Sequence, residues 1–135
     1  MTEIETYQSL MTQPNAVFVF GSNLRGAHGA GAAAAAMHHY GARYGQAEGV
    51  QGRSYAIPTK DFNLRTLPLA RIWHYVEEFL NFADQNRDLT FVLTRVGCVL
   101  AGYTDEDIAP MFETASPNVI LPEKWKALLS QPKER

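Results

Sequence analysis

Three short segments carry residue types that could do chemistry, and each follows a run of strand-forming residues. The first, Gly26-Ala27-His28-Gly29-Ala30-Gly31, runs directly into the alanine tract Ala32–Ala36. Glycine and alanine leave the main chain bare, and the start of a helix adds free N–H groups and the positive end of its dipole, so the natural guest is an anion such as phosphate. The segment lacks the Gly-Lys-Ser/Thr ending of a P-loop and the spacing of a dinucleotide fingerprint. The competing reading is a turn that only packs helix against strand. His28 is the polar side chain inside this loop, placed to donate to a phosphate or to act as a general acid.

The second segment ends in Lys60, after Ser54-Tyr55-Ala56-Ile57-Pro58-Thr59. As a cation Lys60 binds phosphate; as a nucleophile it must be neutral, which requires burial or a neighbouring positive charge to lower its pKa from ~10.4. Otherwise it is a solvated charge paired with Asp61. The third segment, Gly97 to Tyr103, holds Cys98, the one cysteine of the chain. A thiol beside a helix start is reactive, whereas a free cysteine elsewhere behaves as a small buried hydrophobe, and the second reading is adopted here. His38 and His39 are adjacent and lack the four-residue spacing of helical zinc ligands, so neither a metal nor a cofactor is expected.

The elements that must position these segments alternate. Ala16–Phe20 reads as a strand apolar on both faces, stopping at Gly21-Ser22-Asn23. A helix follows the first loop and closes near Tyr40, with Gly41 as its left-handed stop. Ser54–Ile57 reads as a second strand ended by Pro58. From Leu67 to Phe82 the apolar residues recur at three- and four-residue spacing, predicting an amphipathic helix with Trp73 in the core. Leu89–Val96 is a third strand. Thr104 with Asp107 predicts a capped helix start that buries Ile108, Met111 and Phe112. Asn118–Leu121 makes a short fourth strand, and Pro122 opens a last helix through Leu129 that buries Trp125. Asp105, Glu106 and Asp107 are read as carboxylates suited to a first helical turn. Gln46, Glu48, Gln51 and Arg53 lie in a polar, glycine-rich stretch that either covers a base or ribose or is an exposed loop. Strands alternating with helices imply an α/β domain with a mostly parallel or mixed central sheet, its ligands bound beyond the carboxyl ends of the strands.

Composition supports one globular domain over 1–135 with a polar, frayed tail at 131–135. Of 135 residues, 46% are hydrophobic and 19% charged, which excludes a disordered or collagen-like chain. A net charge of -2 offers no broad basic field, so general nucleic-acid binding is not expected, while a local basic pocket remains compatible. No run approaches the roughly 20 apolar residues of a membrane span, and Met1–Gln13 lacks the basic flank and apolar stretch of a signal peptide, so a cytoplasmic protein without membrane association is expected.

The run GAGAAAAAMHHYG resembles the loop and helix of macrodomains, particularly the branch that removes ADP-ribose from protein glutamates. IPTK resembles that branch's strand-end lysine segment, and TRVGCVLAGYTDEDIAPMF its second phosphate loop with the following helix. These blocks span most of Phe18 to Phe112. The wording FGSN, GAGAA, SYAIPTKD and DIAPMF is closer still to a group of small phage and bacterial proteins to which no activity is assigned. The resemblance implies a three-layer macrodomain-like sandwich that binds ADP-ribose or a related nucleotide, free or on a modified protein. It places Asn23 near the distal ribose, Gly29, Ala30 and Gly31 along the diphosphate, and Gly97 to Gly102, with Cys98, Leu100 and Ala101, in the second loop across it; Gly26, His28 and Tyr103 in the same loops complete the ligand-binding candidates. It makes Lys60 the catalytic residue, attacking the anomeric carbon of the distal ribose. Two positions depart from the pattern: Ala101 stands where the branch has an assisting acid, and Val99 where it has glycine. Alanine transfers no proton, so that two-residue mechanism does not carry over intact. Three readings therefore stand: an ADP-ribosyl hydrolase, a noncatalytic ADP-ribose reader, and an interaction module with a vestigial pocket.

Overall fold

The structure, a computed structural model, describes residues 2–98 and 100–131. Val99 and the expected tail from 132 to 135 lie outside the described residues. The chain runs α1 (Glu3–Leu10), β1 (Ala16–Asn23), α2 (Gly31–His39), β2 (Gly49–Gln51), β3 (Ser54–Lys60), α3 (Leu69–Gln85), β4 (Thr90–Leu93), α4 (Asp105–Ile108) with a 3-10 turn (Ala109–Phe112), β5 (Val119–Ile120) and α5 (Glu123–Leu129). The five strands form one mixed sheet in the order β2-β3-β1-β4-β5. β1 is parallel to β3 and β4, β4 is parallel to β5, and β2 is antiparallel to β3. The fold is α/β, with helices on both faces of the sheet.

Side chains of alternate strand residues go to opposite faces. Val17 and Val19 of β1, Tyr55 and Ile57 of β3, and Phe91 and Leu93 of β4 pack with Ile72, Val76 and Phe79 of α3, with Phe112 and with Trp125 of α5. Ala16, Phe18 and Phe20 of β1, Ala56 of β3 and Val92 of β4 pack on the other side with Met11, Ala33, Ala36 and Ala42. Because both faces are covered, the central strands have no polar face, as their unbroken apolar sequence implies.

Several boundaries differ from expectation for physical reasons. β1 continues through Gly21–Asn23 because β3 extends beside it, pairing Gly21 with Ile57 and Ser22 with Pro58. Pro58 does not end β3: β2 reaches only to Gly49 opposite Ala56, so the missing N–H falls where no ladder partner remains. β4 is shorter than Leu89–Val96: β1 pairs with it from Thr90 to Leu93, and just beyond, Val96 N donates to Thr94 O at 2.8 Å as the chain turns away. Trp73 is not core; it is 41% exposed, one position round the helix from the buried stripe Ile72, Val76, Phe79 and Ala83. α1 and β2 were not expected. α1 starts at Thr2, whose hydroxyl accepts from Glu5 N at 3.1 Å, but none of its residues is fully buried, so apolar periodicity does not mark it.

The other expectations hold locally. Thr104 and Asp107 complete a capping box, and Ile108, Met111, Phe112 and Trp125 are buried. Gly41 has φ 76° after α2. No helix among the described residues is long and apolar enough to cross a membrane.

Candidate functional site

β1 lies between β3 and β4, and the chain leaves β1 toward α2 on one face but leaves β4 toward α4 on the other. That reversal opens a crevice at the carboxyl ends of the strands, where ligands of open α/β sheets bind. A cleft of about 650 Å³ occurs there, bounded by the ends of β1 and β3, the segment after β4, and helices α1 and α2.

The first loop is fixed from β1. The Asn23 amide donates to Ala27 O and accepts from Ala27 N, both at 3.0 Å. Gly26 has φ 72°, and a Cβ there would stand 2.5 Å from the Gly45 carbonyl carbon, so only glycine fits this approach. Gly45 N in turn donates to Gly26 O at 2.8 Å. Past this anchor Gly29, Ala30 and Gly31 line the cleft. Ala30 is the N-cap of α2 and has no side chain to accept a hydrogen bond; the helix ladder includes Ala34 N to Ala30 O at 3.2 Å. The first-turn amides of α2 are thus left for a partner from outside the helix.

His28 is placed differently from its expected role. It is fully buried behind the loop, against the Phe20 ring at 5.1 Å between centroids, and does not line the cleft. Its Nε2 is 3.1 Å from Gln46 O and 3.1 Å from Gln51 Oε1. Gln51 Oε1 also accepts from Arg43 N at 2.7 Å while its amide nitrogen donates to Gln46 O, so both neighbours of Nε2 are acceptors and Nε2 carries the proton. His28 is a strut between the first loop and the 46–51 segment. Gln51 belongs to the same strut, and Arg53 donates to Met11 O and Gln13 O, so this polar stretch folds the chain and does not cover the cleft.

Lys60 ends β3, half-buried, and lines the cleft with Asn23 and Ala101. It forms no ion pair among the described residues; Asp61 instead spends its Oδ1 on Asn63 N and Arg65 N, both at 2.9 Å. The second loop is pinned beside it: Thr66 Oγ1 donates to Ala101 O at 2.7 Å and Tyr103 OH to Leu67 O at 2.8 Å. Gly97, Leu100 and Ala101 line the cleft, whereas Gly26, Cys98, Gly102 and Tyr103 do not. Burial pushes the Cys98 thiol up to about 12, with the Asp105 carboxylate adding to the shift, so Cys98 is an inert thiol. Leu100 is 60% exposed and reaches over the mouth, where a Cβ on Gly31 would stand 3.1 Å from its Cδ1.

A second arm of the cleft, unanticipated from the sequence, runs between α1 and α2. Phe18 forms its floor, with Tyr40 at 4.9 Å and Tyr7 at 6.1 Å between ring centroids. Alanines of α2 make one wall and Ile4 and Gln8 of α1 the other. Arg95 closes the far end; its Nε and Nη2 donate to the Asp105 carboxylate at 2.8 and 2.9 Å, and its Nη1 is 4.0 Å from Glu3. No pattern in the sequence marks this arm, because Tyr7, Phe18 and Tyr40 are far apart in the chain and meet only in the fold.

The chain matches no family model, no curated protein and no solved structure. The chemistry of the cleft therefore has to be read from its own residues. One arm offers backbone amides and one unpaired cation, which suits a phosphate-bearing group. The other arm is aromatic and apolar, which suits a flat ring. Glu3 is the one carboxylate lining the cleft among the described residues, and it sits at the Arg95 end, accepting from Tyr7 OH at 2.9 Å. Among the described residues that line the cleft, His39 and Arg95 are the other basic side chains, and no carboxylate stands next to Lys60.

Proposed function

We propose that the cleft binds ADP-ribose or a closely related nucleotide diphosphate-ribose, in the manner of a macrodomain-like three-layer sandwich. The observation that carries this reading is the pairing of an uncapped α2 N-terminus with an aromatic-floored arm in one continuous cleft. The diphosphate lies along Gly29–Gly31, the base over Phe18, and the distal ribose near Asn23 and Lys60. Calorimetric titration tests it: ADP-ribose binds, and AMP, lacking the second phosphate and ribose, binds more weakly. A folded sample that takes up no ADP-ribose at millimolar concentration sinks the proposal. Gly31→Val, which places a branched side chain at φ 57° against Leu100 and the helix start, lowers affinity at least tenfold while the protein stays folded.

The missing acid beside Lys60 favours a reader over a fast hydrolase. Lys60 then acts as a cation, and a charge-assisted contact contributes about 1.5–3 kcal/mol. Lys60→Ala weakens ADP-ribose binding accordingly, and Lys60→Arg restores part of it. A nucleophile predicts the opposite pattern: turnover of ADP-ribosylated protein that Lys60→Ala abolishes and Lys60→Arg cannot rescue.

A further inference from the structure

Of the helices that bound the cleft, α1 is held firmly to the body at one end only. α2 packs closely on β1 and α3 on β3, whereas α1 lies against no strand or helix to that extent and has no fully buried residue. Its C-terminal end is clamped: Arg53 Nη2 donates to Met11 O at 2.8 Å and to Gln13 O at 2.9 Å, Met11 is buried, and Asn15 Nδ2 donates to Asp88 O at 3.0 Å. Ahead of Met11 the hydrogen bonds of Thr2, Glu5 and Thr6 stay inside the helix. Among the described residues, the polar ties from this stretch to the body all meet at Arg95. Glu3 Oε2 is 4.0 Å from its Nη1, and the Tyr7 hydroxyl, which donates to Glu3 Oε1 at 2.9 Å, faces its main-chain amide. Arg95 is a fixed post, because its Nε and Nη2 are committed to Asp105. Apolar contact adds the edge of Tyr7 on Phe18 and a partly buried Leu10, while Ile4 lines the cleft with 68% of its surface exposed.

We propose that α1 is a hinged gate on the aromatic arm: it pivots where Arg53 clamps Met11, and its N-terminal end is latched by Glu3 on Arg95. The inference goes beyond the ligand reading, since hinge and latch belong to the free protein. Segments with few buried apolar contacts open at the lowest free energy of a fold, and hinges lie where an element ends. A single ion pair at 4.0 Å, with Glu3 half in water, is a weak latch against the two hydrogen bonds at the clamp. Because Glu3, Ile4, Tyr7 and Gln8 form one wall of the arm, a swing of α1 sets the width of the arm and leaves the amide-lined end unchanged. A flat ring laid on Phe18 gives the exposed Ile4 side chain apolar surface to cover, so filling the arm favours closure.

Spin labels on the full chain test it by pulsed dipolar spectroscopy. The pairs Ile4→Cys with Glu77→Cys and Thr12→Cys with Glu77→Cys report the two ends of α1 against α3; Cys98 is buried and inert and does not compete for label. The Thr12 pair should give one narrow distance and the Ile4 pair two populations, closed and open. Glu3→Gln removes the charge but keeps an oxygen for the Tyr7 hydroxyl, and it should raise the open-to-closed ratio about two- to threefold, the size of an exposed ion pair. Salt at about 1 M should act in the same direction. ADP-ribose should collapse the Ile4 pair onto the closed distance. A single Ile4 distance, indifferent to Glu3→Gln and to ADP-ribose, makes α1 a fixed wall and overturns the proposal. A Thr12 pair as broad as the Ile4 pair overturns the hinge, and two populations indifferent to both Glu3→Gln and salt overturn the latch. Populations that shift with Glu3→Gln but not with millimolar ADP-ribose support the gate and count against the ADP-ribose reading of the cleft.

Discussion

The two faces of the sheet are built from different side chains, and the difference locates the site. On the α3 face the rings of Phe79, Phe91, Phe112 and Trp125 interlock, with centroids at 5.4 Å for Phe79–Phe91 and 5.3 Å for Phe112–Trp125. On the α2 face the helix offers alanines, and two phenylalanines of β1 meet Ala33 and Ala36. Large rings fill the first interface; small residues on the second leave a groove between α1 and α2 that continues into the amide-lined end of the cleft. The closed face supplies stability, and the lean face supplies room. Trp125→Ala breaks the comparison most severely: removing a fully buried ring that also donates to Asp105 costs about 3–5 kcal/mol. Urea unfolding measures it, and under the proposed function the ADP-ribose affinity of the folded variant stays at the parent value. A loss below about 1 kcal/mol would mean that the closed face is slack.

Asp105 joins the two regions, and its titration sharpens the contrast. Oδ1 accepts from Arg95 Nε at 2.8 Å, on the cleft side, and from Trp125 Nε1 at 2.7 Å, on the closed side. The hydrogen bonds from Arg95, with that from Trp125, hold the Asp105 carboxyl down to about 2 from an ordinary 3.8. Because the folded value is depressed, the contribution is complete above about pH 4 and is lost as the pH falls toward 2. Asp105→Asn should lower stability at neutral pH by about 1–3 kcal/mol and flatten the dependence between pH 4 and 2. An unchanged acid slope in the variant would assign the slope to another carboxylate.

What the sequence disclosed follows the same division. Strands with both faces covered are apolar throughout, so β1 and β4 were legible, and the stripe of α3 was legible from its spacing. The end of β3 was not, since whether Pro58 breaks a strand depends on where β2 stops, a fact of pairing and not of composition. The amide-rich side of the cleft was legible in Gly29–Gly31 and Lys60, because the glycines fall between a strand and a helix and Lys60 ends the neighbouring strand. The role of His28 was not: a histidine in a glycine loop looks available until Gln46 and Gln51 are seen on its Nε2. The aromatic arm was illegible because Tyr7, Phe18 and Tyr40 come from three elements whose adjacency only the fold creates.

The smallest effect is expected at Trp73, and it probes how sharply the closed face ends. Trp73 and Trp125 are the two tryptophans of the chain, and by residue type alone both belong to the core. Each residue of a helix turns about 100° from the last, so a ring one position after the buried Ile72 leaves the packed stripe even though the spacing of apolar residues around it looks regular. Trp73 accordingly keeps 41% of its surface in water while Trp125 keeps none. A partly exposed ring with no hydrogen bond or ring partner among the described residues yields little on truncation, and Trp73→Ala should change stability by about 0.5 kcal/mol, within the range of surface substitutions. The measurement is the urea midpoint of Trp73→Ala beside that of Trp125→Ala under one buffer. A loss at Trp73 approaching that at Trp125 would show that the ring is covered in solution by something on its outer side, such as a second copy of the chain, and a concentration dependence of the midpoint would then separate self-association from misplaced packing.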